Sequence, residues 1–209
     1  MFLLLLAALL CATDSRLDKQ LEEERKRDHW QEPQRVLGQL GLFRGARAAD
    51  VGAGRGYFTA RLSAAVGPDG TVYAVDLDKE ALEFLRERVT VQHLSNVQVI
   101  EGRPDNPELP SSELDAVLVF NAYHEMRDYD AMLAALYRAL QPGGRLAIID
   151  GAIEGGQARD DYFSRHRIPK EVVREEAERH GFAFLREEKG FSRTSDGKQF
   201  YFLIFIRPN

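Results

Sequence analysis

The chain has 209 residues, 44% of them apolar and 29% charged, with a formal net charge of -5 at neutral pH. That length suits one domain with an appendage, and the acidic balance leaves no basic surplus for phosphates, so nucleic acid is not an expected partner. The single cysteine, Cys11, excludes a disulfide framework and a cysteine zinc site, and the five histidines lack metal-ligand spacing.

Phe2 to Leu10 is an unbroken apolar run, about half the ~20 residues needed to span a bilayer. Its length fits the hydrophobic region of an export signal with cleavage after Ala12, although no Lys or Arg precedes it. Residues 1–13 are therefore read as a signal peptide or short membrane-associated leader. That predicts an exported protein, periplasmic or secreted, with a cytoplasmic or membrane-touching one as the alternative. From Asp14 to His29 charges dominate, with Leu17 and Leu21 at helical spacing. This reads as a solvated helix carrying ion pairs one turn apart. Pro33 opens a second helix, Gln34 to Leu40, which Gly41 ends. Residues 14–41 thus form a helical cap ahead of the main domain, 42–209, and Trp30 serves packing or a lid over a ligand.

Arg47 to Phe58 reads as a buried strand ending in Asp50 and Val51, a turn with glycines at 52, 54 and 56, and a helix from about Tyr57. Glycine lets a backbone turn tightly and approach a ligand closely. The dinucleotide fingerprint G-x-G-x-x-G would put its third glycine at Tyr57, so the pattern here is D-x-G-x-G-x-G instead. A carboxylate at Asp50 does not help a pyrophosphate, whereas it suits an overall cationic ligand.

Phe58 to Val66 is a helix closed by Gly67-Pro-Asp-Gly70, and Thr71 to Val75 is a buried strand ending at Asp76. In an open α/β sheet, an acid at the end of the second strand reaches a ribose hydroxyl pair, the role expected of Asp76. Asp78 is the expected N-cap of a helix over Lys79 to Val91. Asn96 to Ile100 is the third strand, followed by a proline-broken loop, Glu101 to Pro110. Leu114 to Phe120 is the fourth strand, and Asn121-Ala-Tyr-His-Glu-Met126 leaves its carboxyl end. Asp128 caps a helix with Met132, Leu133, Leu136 and Leu140 on its core face, and strand five is Arg145 to Ile149. Gly151 to Ile168 has no regular period and reads as a substrate lid; Arg165, His166 and Arg167 there are solvated charges or a site for an acidic acceptor. Pro169 starts a helix to His180, and Phe182 to Glu188 and Gln199 to Ile206 form a hairpin through Ser195-Asp-Gly197.

The glycine loop, Asp76, the Pro142-Gly-Gly144 turn and the terminal hairpin together resemble the class I S-adenosylmethionine (SAM)-dependent methyltransferases over about Gln34 to Arg207. The resemblance implies a Rossmann-like, seven-stranded, mostly parallel sheet with a C-terminal antiparallel hairpin and helices on both faces. It implies SAM as cofactor, held by Asp50, Gly52, Gly54, Gly56, Asp76 and Asn121, and transfer of its methyl group to a small-molecule O, N or C acceptor. The family places an acid against the adenine amino group from the loop after strand three. Here Arg103 follows the glycine and Asp105 comes two residues later, so Asp105 is the candidate. His124 is the candidate base or a loop-stabilising histidine, and Tyr123 would orient the acceptor or face the sulfonium. Asn121 stands where catechol-type relatives carry a metal-binding acid, so no metal is expected. The Asn/Asp-Pro-Pro-Tyr/Phe signature of base and glutamine N-methyltransferases is absent, and one cysteine cannot serve an arsenite enzyme. A SAM-fold binding protein without catalysis, and a nicotinamide oxidoreductase, are the competing readings.

Overall fold

The computed structural model describes residues 2–156, 158–191, 194 and 197–209, with side chains from residue 15 onward. The apolar runs form β1 (Arg47–Val51), β2 (Thr71–Asp76), β3 (Val97–Glu101), β4 (Leu114–Phe120), β5 (Leu140–Gly151), β6 (Ala183–Glu187) and β7 (Phe200–Ile206). They pair into one sheet of order β3-β2-β1-β4-β5-β7-β6. β1 to β5 run parallel, and β7 pairs antiparallel with both β5 and β6. This is the expected fold class. The expected Ser195-Asp196 part of the hairpin turn lies outside the described residues.

Helices α1 (Phe2–Gln31), α2 (Pro33–Gln39), α3 (Tyr57–Val66), α4 (Lys79–Val91), α5 (Tyr129–Ala139), α6 (Arg159–Arg165) and α7 (Lys170–Arg179) accompany the sheet. A parallel sheet covered on both faces needs strands that are apolar throughout, which is why β4 reads Ala116-Val-Leu-Val119 with all four buried. Val117, Val119 and Ile148 meet Leu133, Leu136 and Val173 on one face. Leu118, Ile149 and Phe202 meet Val36, Leu62 and Val66 on the other. α4 begins where Asp78 accepts the Glu80 and Ala81 amide hydrogens, as its sequence predicts. Asp128 occupies the same place before α5 without a side-chain capping bond. Leu140 is buried, but as the first residue of β5 rather than the last of the helix.

The amino-terminal segment differs most from its reading as a solvated helix. α1 is continuous from Phe2 to Gln31 and docks through buried charge. The Arg88 guanidinium of α4 grips Glu24 in two parallel bonds, 2.7 Å and 3.0 Å long, with both side chains 2% exposed. One turn later Asp28 accepts from the Tyr57 hydroxyl at 2.6 Å and from Arg61 at 2.7 Å. Trp30 lies against the Phe120 and Phe200 rings, 6.4 Å and 5.3 Å away. Among the described residues no helix is long and apolar enough to cross a membrane.

Candidate active site

The strand order reverses between β1 and β4, and a crevice opens outside their carboxyl ends, where α/β sheets hold ligands. Gly52 and Gly54 turn the chain there with φ of 79° and 52°. A Cβ on Gly52 would lie 2.4 Å from Ala122 Cβ, so the first glycine lets the two loops touch. A Cβ on Gly54 would meet nothing within 4 Å. That glycine keeps bare backbone against open space. Gly56, at the start of α3, is instead held against Leu85 of α4.

Asp76 closes the loop from the side. Its Oδ2 accepts the Gly54 amide hydrogen at 2.7 Å, and its Oδ1 accepts those of Leu77 and Asp78 at 2.8 Å and 3.0 Å. A carboxylate offers about four acceptor positions, so room remains at Oδ2 for one more donor. Asp50 lies beneath the loop, 2% exposed, and accepts the Thr59 hydroxyl at 2.6 Å. Burial pushes its carboxyl up to about 6, although the Thr59 bond opposes the shift.

Two cavities meet over this floor. The larger, about 520 Å³, runs past Val75, Asp76, Leu77, Arg103, Pro104, Glu125 and Met126. The smaller, about 300 Å³, is bounded by Asp50, Gly54, Tyr57, Phe58 and Phe120, and by Gln20, Arg27 and Gln31 of α1. Gly52 and Asn121 line both. Asn121 adopts φ 53°, a left-handed conformation that Asn tolerates better than most residues, and its side chain accepts from Lys198 at 3.3 Å. Arg27 Nε and Gln31 Oε1 are buried without a hydrogen-bond partner, a donor and an acceptor left for a ligand. With Asp50 beside them, these groups fit the ammonium and carboxylate of SAM's amino-acid end. The Asp76 side of the larger cavity fits its nucleoside.

The comparisons with known proteins agree with this geometry. Residues 48–144, which hold the glycine loop, Asp76 and Asn121, match the family described as a methyltransferase domain. That match supports the resemblance to the class I SAM-dependent methyltransferases. The chain is 31% identical over 121 residues to a demethylmenaquinone methyltransferase of Geobacillus sp., covering 58% of the chain and 51% of the relative. It is 28% identical over 134 residues to a ubiquinone/menaquinone biosynthesis C-methyltransferase of Escherichia coli, covering 62% and 53%. The chain thus spans about half the length of the curated relatives it matches. Its fold superposes on a SAM-dependent methyltransferase from Aquifex aeolicus with a TM-score of 0.73 at 24% identity, covering 89% of this chain and 97% of that one. The nicotinamide reading falls away.

Export and the place of Asp105 both depart from expectation. Export is the first: the chain's relatives are named for biosynthesis, which does not support an exported protein. Asp105 is the second. It is exposed, pairs only loosely with Arg103 at 4.0 Å, and lines neither cavity; Arg103 and Pro104 stand at the larger cavity instead.

Tyr123 and His124 sit on a 3₁₀ turn, Tyr123–Glu125, behind the cavity wall. Tyr123 is fully buried, lines neither cavity, and donates its hydroxyl hydrogen to Glu176 at 2.7 Å. It therefore faces α7, away from any sulfonium. His124 is 1% exposed, and its Nδ1 lies 2.8 Å from Asp150 Oδ1. Because Asp150 also accepts the His124 and Gly151 backbone hydrogens, Nδ1 carries a proton and donates it. Burial pulls the imidazole down, but the Asp150 hydrogen bond and the nearby Asp150 and Glu125 carboxylates outweigh it and lift the group to about 9. Charged at neutral pH and outside both cavities, His124 is poorly placed as a base for a bound acceptor.

Sequence reasoning missed Arg27 and Gln31. Their signal, one helical turn apart on α1, is buried in a charged run that reads as solvated.

Proposed function

We propose that this protein binds SAM across the two cavities and transfers its methyl group to a small-molecule acceptor. The observation that carries the reading is the junction of the cavities at Gly52 and Asn121, bracketed by Asp50 and Asp76. Asp76 and Leu77 take the nucleoside, Asp50 with the Gln31 amide oxygen the ammonium, and Arg27 the carboxylate. The sulfonium of SAM supplies an already activated methyl group, so the chain's residues have to align the acceptor and exclude water. We extend the reading to a ring-bearing acceptor of the quinone class. The names of the relatives suggest it. We read α1 and α2 as a cap that completes the smaller cavity.

Calorimetric titration of the full chain with SAM and S-adenosylhomocysteine tests the cofactor, with Asp76→Ala alongside. Saturable one-to-one binding that the substitution abolishes is the expected result. Folded wild-type protein that binds neither compound would end the reading. Methyl transfer from labelled SAM to a reduced demethylated naphthoquinone tests the acceptor. Binding without any transfer would leave a SAM-binding protein that is not this enzyme.

A further inference from the structure

The turn that carries His124 faces a second element that the methyl-transfer reading does not use. α6 ends at His166, which takes a left-handed conformation (φ 49°) and brings its imidazole back over the turn. The His124 and His166 rings meet edge-on with centroids 5.5 Å apart. Glu125 lies between them: its Oε1 is 3.5 Å from His124 Nε2 and 3.7 Å from His166 Nδ1. All three donor atoms lie within 4.8 Å of one another.

The buried member of this set has no hydrogen-bond partner. His124 Nε2 is enclosed and makes no aligned hydrogen bond, because the 3.5 Å approach to Glu125 lacks the geometry for one. Its other nitrogen is fixed by Asp150, a carboxylate that is 0% exposed. A carboxylate behind an imidazole, aiming the far nitrogen outward, is the arrangement that orients histidine ligands in metal sites. His166 and Glu125 are exposed enough to adjust.

We propose that His124 Nε2, a Glu125 carboxylate oxygen and His166 Nδ1 form a site for a zinc-like divalent transition-metal ion, with Asp150 as the group that positions His124. Two imidazoles and one carboxylate are a recognised zinc donor set, whereas Mg²⁺ and Ca²⁺ ask for oxygen ligands throughout. Ligand bonds of about 2.0–2.1 Å put tetrahedral donors roughly 3.3 Å apart. The observed separations of 3.5 Å and 3.7 Å are near that, so a small turn of the exposed His166 ring closes the set. Binding displaces the proton that His124 Nε2 otherwise carries and releases it to solvent, and three protein donors leave a fourth position for water or a ligand oxygen. Glu125 also borders the larger cavity, so the ion would sit at its rim and tie the end of α6 to the loop after β4. The expectation of no metal weighed the histidine spacing and Asn121 in place of an acid, and the proposed site departs from it.

The test uses tag-free full-length protein stripped with a chelator and titrated with Zn²⁺ by calorimetry, and with Co²⁺ by its visible absorption, in the absence of SAM. One equivalent should bind, with cobalt bands typical of four-coordination. His166→Ala and Glu125→Gln alter exposed side chains and should each weaken binding by roughly tenfold or more. Circular dichroism confirms that both variants are folded. Failure of folded wild-type protein to bind either ion saturably would overturn the proposal. So would unchanged affinity in both variants, since the ion would then be held elsewhere. Neither result bears on SAM binding, which is measured separately.

Discussion

Asp50 shows what a single buried carboxyl imposes on the molecule. Its value rises from 3.8 to about 6 because burial disfavours the charge. Between those values the unfolded chain has released the proton and the native chain keeps it. Native stability therefore falls by about 3 kcal/mol as pH rises through the window, and the loss is complete above about 6. Asp50→Asn should flatten that slope, as read by urea unfolding at about pH 4 and about pH 7. A slope unchanged by the substitution would place the effect on another group. The ammonium of SAM would pull the carboxyl back down, so cofactor affinity should weaken as pH drops below about 6. At this scale the sequence was legible where chemistry is local. The glycine loop and the Asp78 cap depend on neighbours two or three residues away, and both stand as read. Asp105 and Tyr123 depend on how a loop folds and which way a ring turns. The Arg103–Asn106 bridge turns the first outward, and Glu176 draws the second inward.

Among the elements, α1 departs furthest from its sequence pattern. Its charges look like solvent exposure, yet Glu24 finds Arg88 across the molecule and both are buried. No periodicity predicts a partner so far along the chain. Removing one member strands the other, so Glu24→Gln should cost about 3–5 kcal/mol, seen as a lower unfolding midpoint. A Glu24→Met/Arg88→Leu double variant should recover part of that loss. If the single variant is as stable as wild type, α1 is not docked through this pair. α6 escaped the sequence because it has only seven residues with a single fully buried side chain, Tyr162, too few to reveal a helical period. Arg159 fixes it instead, bonding Glu176 at 3.1 Å and the Met126 carbonyl at 3.2 Å.

For the molecule as a whole, the alternation of strands and helices made the mostly parallel sheet and its antiparallel ending legible in advance. Each parallel strand needs a crossover, and most carry a recognisable helix, although β3 reaches β4 through a proline-broken loop. The two cavities were not legible, since their walls come from α1, the glycine loop and the turn after β4 at once. A ligand that spans all three should stabilise the native state globally. At about one hundred times its dissociation constant SAM adds about 2.7 kcal/mol, which for a domain this size raises the unfolding midpoint by roughly 5–10 °C. Differential scanning calorimetry with and without SAM reads this directly, and a midpoint that does not move would deny binding to the native state.

The bond from Gly54 to Asp76 has a consequence for how the glycine loop behaves in time. A loop with three glycines would ordinarily sample many shapes, but this one is pinned at its middle amide before any ligand arrives. The entropy of ordering it is already spent at folding, so cofactor entry should proceed without a slow loop-closing step. Hydrogen exchange makes this visible. The Gly54 amide should be protected in the free protein, and Asp76→Asn should speed its exchange while leaving the β4 amides slow.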